Sequence, residues 1–178
     1  MIEIVFETHA LTEDNHSARA TGWLPGELSA QGRRLAVELG DRRRNDGIDA
    51  VFASDLRRAR DTAAIAFEGT SIPILLDWRL RECDYGSLNG GPASEMHKTR
   101  REHIDVPYFR GESWRQAVSR VARTLDDLPS RWAGRRVLFI GHVATRWALD
   151  CRLLGRELED LIVEDFDWRE GWEYRLEQ

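Results

Sequence analysis

Two cysteines in 178 residues, Cys83 and Cys151, are too few for a disulfide framework, and neither stands at a zinc-binding spacing. Both are expected to be ordinary reduced side chains. Long apolar runs are also missing: the uninterrupted stretches are a few residues long, against the roughly 20 that a membrane-spanning helix needs. Met1 leads straight into a strand pattern, with no basic region and long apolar segment, so no targeting leader and no membrane partner are expected. Excess basic charge is absent too. Lys and Arg number 26 against 31 Asp and Glu, a net charge of −5, which excludes a broad nucleic-acid surface. These absences point to a soluble cytoplasmic protein, and 42% hydrophobic residues suit one domain, 1–178, with a sizeable core. The chain holds no internal repeat, low-complexity tract or linker.

What is present alternates between strand and helix. Apolar runs predict strands over 2–6, 50–53, 72–76 and 137–140, and 3.6-residue periodicity predicts helices over 29–44, 55–67, 112–128 and 143–154. Ser29 is placed to cap the first helix, and Ser54 and Asp55 the second. A last strand through Glu173-Tyr174-Arg175-Leu176 is expected antiparallel at an edge. Such alternation implies an α/β three-layer sandwich with a mostly parallel central sheet flanked by helices. Two polar stretches, 10–28 and 83–111, break the pattern after strand ends, where loops of such length are usually functional. Arg42-Arg43-Arg44 and Lys98-Thr99-Arg100-Arg101 read as solvated faces, the first favoured by a helix carboxyl end.

His9 and His142 each follow a buried strand run, so both imidazoles stand at strand exits, where ligands bind in open α/β sheets. Ser54-Asp55-Leu56-Arg57-Arg58-Ala59 follows a third run and Leu80-Arg81-Glu82 a fourth. A nucleophile or base, a cation, a carboxylate and a second imidazole suit the chemistry of anionic esters. Each alone has a bland reading: a structural histidine, a helix-decorating arginine, an exposed glutamate. Their common position after strands favours the functional one. His16, His97 and His103 lack a metal-ligand spacing and read as loop residues, with His97 or His103 able to reach a substrate from above. Trp114, Trp132, Trp147, Trp168 and Trp172 read as packing residues. Phe166, Trp168 and Trp172 leave open internal packing or a homodimer face.

The segments Thr8-His9-Ala10-Leu11-Thr12-Glu13-Asp14-Asn15, Arg19, Thr21-Gly22-Trp23 and Leu28-Ser29-Ala30-Gln31-Gly32 resemble the opening of the histidine phosphatase superfamily, in its phosphoglycerate mutase-like branch. Ser54-Asp55-Leu56-Arg57-Arg58-Ala59-Arg60-Asp61-Thr62-Ala63, Leu80-Arg81-Glu82-Cys83-Asp84-Tyr85-Gly86, Gly111-Glu112-Ser113 and Gly141-His142 match further blocks in the same order, over essentially the whole chain. The resemblance implies a phosphohistidine mechanism on a small-molecule phosphate ester, with no metal and no cofactor. In it His9 attacks phosphorus, Arg58 and His142 hold the phosphoryl oxygens, and Glu82 protonates the leaving oxygen and then activates water. Thr8, Asn15, Arg19, Thr21 and Gly22 would complete the phosphate pocket. The compact length favours a phosphatase over a mutase, which must shield its phosphoryl group from water.

Four departures bear on this reading. Thr8 replaces the family arginine, Ala10 a glycine, Glu7 a usually apolar residue, and Val143 a glycine. A lost charge-assisted contact removes about 1.5–3 kcal/mol, roughly one to two decades of rate. Arg146, one turn after His142, and Arg19, on the first loop, are the candidates to replace it. The alternatives are a mutase-like phosphotransferase and a catalytically weak protein that binds a phosphorylated ligand.

Overall fold

In the computed structural model, which describes residues 1–177, the first strand β1 runs Ile2–Thr8. It is two residues longer than its apolar run, because Glu7 and Thr8 pair with Ile140 and Gly141. The 10–28 stretch that follows contains a one-turn helix α1 (Glu13–His16), capped by Thr12, and a short strand β2 (Arg19–Ala20). Ser29 then caps α2 (Ala30–Arg43) by accepting from Gly32 N, as its position predicted. Next come β3 (Ala50–Ala53), α3 (Arg57–Ala66) and β4 (Ile74–Leu76).

Helix α3 starts later than its pattern suggested. Asp55 does not cap it: both carboxylate oxygens accept from Arg81, at 2.7 and 2.6 Å. Ser54 Oγ reaches only Leu56 N, and the residue at the cap position, Leu56, has no side-chain acceptor. The 83–111 stretch carries β5 (Gly91–Pro92) and α4 (Ala93–Thr99). The chain closes with α5 (Trp114–Asp127), α6 (Pro129–Trp132), β6 (Arg136–Gly141), α7 (Val143–Leu154), α8 (Leu158–Leu161) and β7 (Trp172–Leu176).

The main sheet has the order β4-β3-β6-β1-β7, parallel throughout except for β7, the antiparallel edge strand. Alternating side chains divide between two faces. Val5, Val51 and Leu138 pack with Leu39 of α2 and Ala59 and Ala63 of α3, while Ile4, Phe6, Phe52 and Phe139 pack with Val121 and Leu125 of α5 and Ala148 of α7. The architecture is therefore the α/β sandwich with a mostly parallel central sheet that the alternation implied. Because β1 and β6 are neighbours in register, Thr8 lies opposite Gly141 and His9 N donates to Gly141 O at 3.0 Å. That pairing fixes His9 and His142 side by side. Strands β2 and β5 pair with each other, so the two irregular stretches join into one roof above the strand ends. Gly22 in this roof has φ +53°, and a Cβ there would collide with Asn89 Oδ1.

The three arginines ending α2 are not a solvated face. Arg43 Nε donates to the buried Glu7 carboxylate at 2.8 Å, and Arg42 reaches it at 3.4 Å. Arg44 donates to Ala66 O and Ile65 O, closing the end of α3. A carboxylate inside a strand requires such partners, since an unpaired buried charge is strongly unfavourable. Among the described residues no helix is long and apolar enough to cross a membrane.

Candidate active site

The strand ends and the roof enclose a cavity of about 590 Å3 lined by His9, Arg58, Glu82 and His142. The His9 and His142 rings lie 5.1 Å apart, tilted by 54°. His9 Nδ1 is 2.8 Å from Ala10 O, which makes it the protonated nitrogen and leaves the Nε2 lone pair free. Burial, and next to it the Arg58 charge, lowers the His9 pKa to about 3, against the smaller opposing effect of the Ala10 bond. His9 is thus a neutral imidazole at physiological pH, the form that can attack an electrophile.

Arg58 is buried at the start of α3, and its guanidinium hydrogen bonds go to neutral acceptors: Leu24 O at 2.9 Å, Gly22 O at 2.9 Å and His142 Nδ1 at 3.3 Å. Its charge is therefore held in place and left for a ligand. Accepting at Nδ1 assigns the proton of His142 to Nε2, a buried atom with no partner. Burial and the Arg58 charge push the His142 pKa well down, so this ring is also neutral and presents an N–H donor. A buried unsatisfied donor costs about 1–3 kcal/mol, a cost that an anionic oxygen in the cavity would remove.

Glu82 stands at the amino end of α7. Its Oε1 accepts from Cys83 N at 2.9 Å and Ala144 N at 3.2 Å, and its Oε2 from Val143 N at 3.3 Å. Burial raises its pKa, outweighing those three donors and Arg58. A carboxyl group held in this way can keep a proton near neutral pH and release it on demand. The backbone carrying it is clamped by Arg120, which donates to the carbonyls of Arg79, Arg81 and Glu82 at 2.7, 3.0 and 3.1 Å and pairs with Glu112 at 2.7 Å. Trp23 Nε1 donates to the same Glu82 carbonyl at 2.7 Å, and its ring is faced by Arg81 at 4.8 Å and Arg120 at 5.7 Å.

Thr8, Asn15, Arg19, Thr21 and Gly22 all line the cavity. Asn15 Oδ1 accepts from Thr12 N and Thr12 Oγ1, which leaves its Nδ2 as the end open to a ligand. Thr21 Oγ1 is committed to Asp14 at 2.9 Å, Arg19 Nη1 to Gly90 O at 3.0 Å, and Gly22 acts through the carbonyl that holds Arg58. Arg146 is not brought in. It points away from the cavity, 3.5 Å from Asp150 and stacked over Trp172 at 4.8 Å and Phe166 at 5.7 Å. The cause is the aromatic cluster at the chain end together with an i,i+4 carboxylate, which outcompete the crevice for its guanidinium. Trp168 is also displaced from its expected packing role: it is 54% exposed and lines the cavity mouth with His97.

The sequence assigned Arg42 to a solvated face and Trp168 to packing and gave Arg120 no role, so the part each plays at the site was missed. For Arg42 a signal existed, since Glu7 sits within a strand and needs a cation. For Arg120 there was none, because three of its partners are backbone carbonyls and the fourth, Glu112, does not stand at a helix-pair spacing from it. No group of three or more His, Cys, Asp or Glu among the described residues could hold a metal ion.

Residues 4–167 match the model of the histidine phosphatase superfamily, branch 1. The chain is 31% identical over 163 residues to a protein named "Probable phosphoglycerate mutase GpmB" from Klebsiella pneumoniae, covering 87% of this chain and 76% of that one. It is 26% identical over 166 residues to phosphoserine phosphatase 1 of Hydrogenobacter thermophilus, covering 89% and 79%. Among solved structures, mycobacterial glucosyl-3-phosphoglycerate phosphatase complexed with VO3 superposes with a TM-score of 0.80 at 27% identity, over 90% of this chain and 85% of that one. Bacillus stearothermophilus YhfR shares the fold, with a TM-score of 0.87 at 24% identity over 99% and 92%.

Proposed function

We propose that this chain, which belongs to the histidine phosphatase superfamily, is a phosphatase that hydrolyses a small-molecule phosphate monoester through a phosphohistidine on His9. The observation that carries the reading is the complementary pair of imidazoles: a free lone pair on His9 Nε2 and an unpartnered N–H on His142 Nε2, both beside the Arg58 charge. In the first step the His9 Nε2 lone pair forms a bond to phosphorus as the ester P–O bond breaks. Glu82 gives its proton to the departing alcohol oxygen. Arg58 and the His142 N–H hold the phosphoryl oxygens, where negative charge is concentrated in the transition state. In the second step the Glu82 carboxylate takes a proton from water, the water oxygen bonds to phosphorus, and the P–N bond breaks to release phosphate and neutral His9.

Relatives named both as phosphatases and as a mutase support the shared first step. The second reading, phosphoryl transfer back to a bound acceptor, is favoured by the relative named as a mutase. Phosphate release from an aryl phosphate between pH 5 and 8, with chelator present, is the test. The reading predicts turnover by the parent chain and none by His9→Ala. Equal release by both would refute it, and isomerisation of a phosphoglycerate without phosphate release would establish the mutase instead.

A further inference from the structure

The cavity extends well beyond the four residues that handle phosphorus. Past Thr8 it runs between two walls. One is a single face of α2, Leu35, Glu38, Leu39 and Arg42, at the i, i+3, i+4, i+7 spacing of a helix stripe. The other is the 166–170 segment, which contributes Phe166, Trp168 and Glu170. Glu7 forms part of the floor, neutralised by Arg42 and Arg43, and Arg43 also donates to Glu170 O at 3.0 Å. Arg146 holds the far wall by stacking on Phe166 and Trp172. Thr8 is the residue between the two ends, and its short side chain leaves the passage open.

Resting on the phosphatase reading, we infer that this second compartment receives the leaving alcohol, and that the alcohol carries a planar heteroaromatic ring of nucleoside size. Three observations converge on that class. The volume, about 590 Å3, falls in the range of about 300–1,000 Å3 of sites that enclose a whole organic ligand, far more than a three-carbon acid requires. Phe166 and Trp168 line this end of the cavity and are 41% and 54% exposed, so both offer ring surface to a ligand, and Arg42 lines the same end. Arg42 Nε is a buried donor without a partner and the Glu38 carboxylate is an acceptor in the same lining, while the Glu170 carboxylate lies 3.9 Å from Arg42 Nη1. Ring heteroatoms would meet both kinds of group.

The test compares nucleoside 5′-monophosphates of the four common bases with ribose 5-phosphate. All release a primary ribose 5′-alcohol, so the bond broken is the same and only the ring differs. Stacking of a base on an aromatic side chain predicts at least one nucleotide with kcat/KM about tenfold or more above ribose 5-phosphate. Trp168→Ala should erase most of that ratio through KM. Thr8→Arg, which fills the passage, should erase it with Trp168 intact. Hydrolysis of ribose 5-phosphate at a rate equal to or above all four nucleotides overturns the inference while leaving the phosphatase reading standing. A ratio unmoved by both substitutions also overturns it, because the ring would then bind elsewhere. Failure to hydrolyse any of the five, or a generic aryl phosphate, overturns the reading on which the inference rests.

Discussion

Replacing Arg120 by methionine would separate the hold on the general acid from the chemistry itself. Arg120 is buried, is not itself part of the cavity lining, and spends its guanidinium on Glu112 and on the carbonyls of Arg79, Arg81 and Glu82. Methionine keeps the volume of the stem and removes every one of these bonds. Breaking a buried ion pair from one side costs about 3–5 kcal/mol. The lower end applies here, because Glu112 is 20% exposed at its side chain and water can rehydrate it. A loss of about 3 kcal/mol in a domain of this size lowers the melting temperature by roughly 6–12 °C. Glu82 keeps its own bonds to the start of α7 but loses the anchor of its backbone, so kcat should fall about 10–100-fold with KM little changed, the pattern of misplacement by an ångström or less. Arg120→Lys should fall between, since an ammonium cannot reach all three carbonyls. Thermal unfolding and steady-state kinetics on one aryl phosphate read both effects. A Met variant within 1 °C of the parent (about 0.3–0.5 kcal/mol) and with unchanged kcat would refute the claim that Arg120 positions Glu82.

Glu82→Gln cannot protonate a leaving oxygen or activate water. It should cost about 10²–10⁴ in kcat on alkyl phosphates, while p-nitrophenyl phosphate, whose leaving group needs no proton, should show a stoichiometric burst followed by slow turnover; absence of a burst would argue against a shared acid and base. Stability should depend on His9. Its pKa is 6.5 in the unfolded chain and about 3 when folded, so the unfolded state binds the proton more tightly, and the contribution is full above pH 6.5 and lost as pH falls toward 3. At pH 5 the loss amounts to about 2 kcal/mol, an upper figure because the ring's open side faces water in the cavity. His9→Asn should flatten the acid limb of a denaturation series by that amount, and an unchanged slope would contradict the burial argument. Arg146→Ala should leave the inhibition constant for inorganic phosphate within twofold of the parent, since its guanidinium serves Asp150, Phe166 and Trp172; a tenfold weakening would return it to the phosphate site.

The strand and helix order, the parallel sheet and the antiparallel last strand were legible because each element has its own periodicity. His9 and His142 were legible because strand exits are local features. The Glu7 pairing was only half legible: the strand alternation placed a carboxylate near the site, but Arg42 and Arg43 lie a helix away and their charges looked like an ordinary helix terminus. Arg146 went wrong for the opposite reason. Its position one turn after His142 suited the crevice, yet Asp150 and the aromatic chain end, reached only through tertiary packing, claimed it. Arg120 acts on backbone carbonyls, and no side-chain pattern encodes those. The breadth of the cavity beyond Thr8 depends on how the 166–170 segment crosses α2, and nothing in the spacing of Phe166 and Trp168 discloses that crossing.

The most direct test of the account is to mix the chain with 32P-labelled acetyl phosphate or aryl phosphate, quench in alkali after milliseconds, and map the label. A phosphohistidine is stable in alkali and labile in acid, unlike a phosphoserine ester. The account predicts up to one label per chain, lost on acid treatment, carried by the peptide containing His9, and absent from His9→Ala. Label on another residue, or turnover by the parent with no labelled enzyme at any quench time in the Glu82→Gln background, would contradict it.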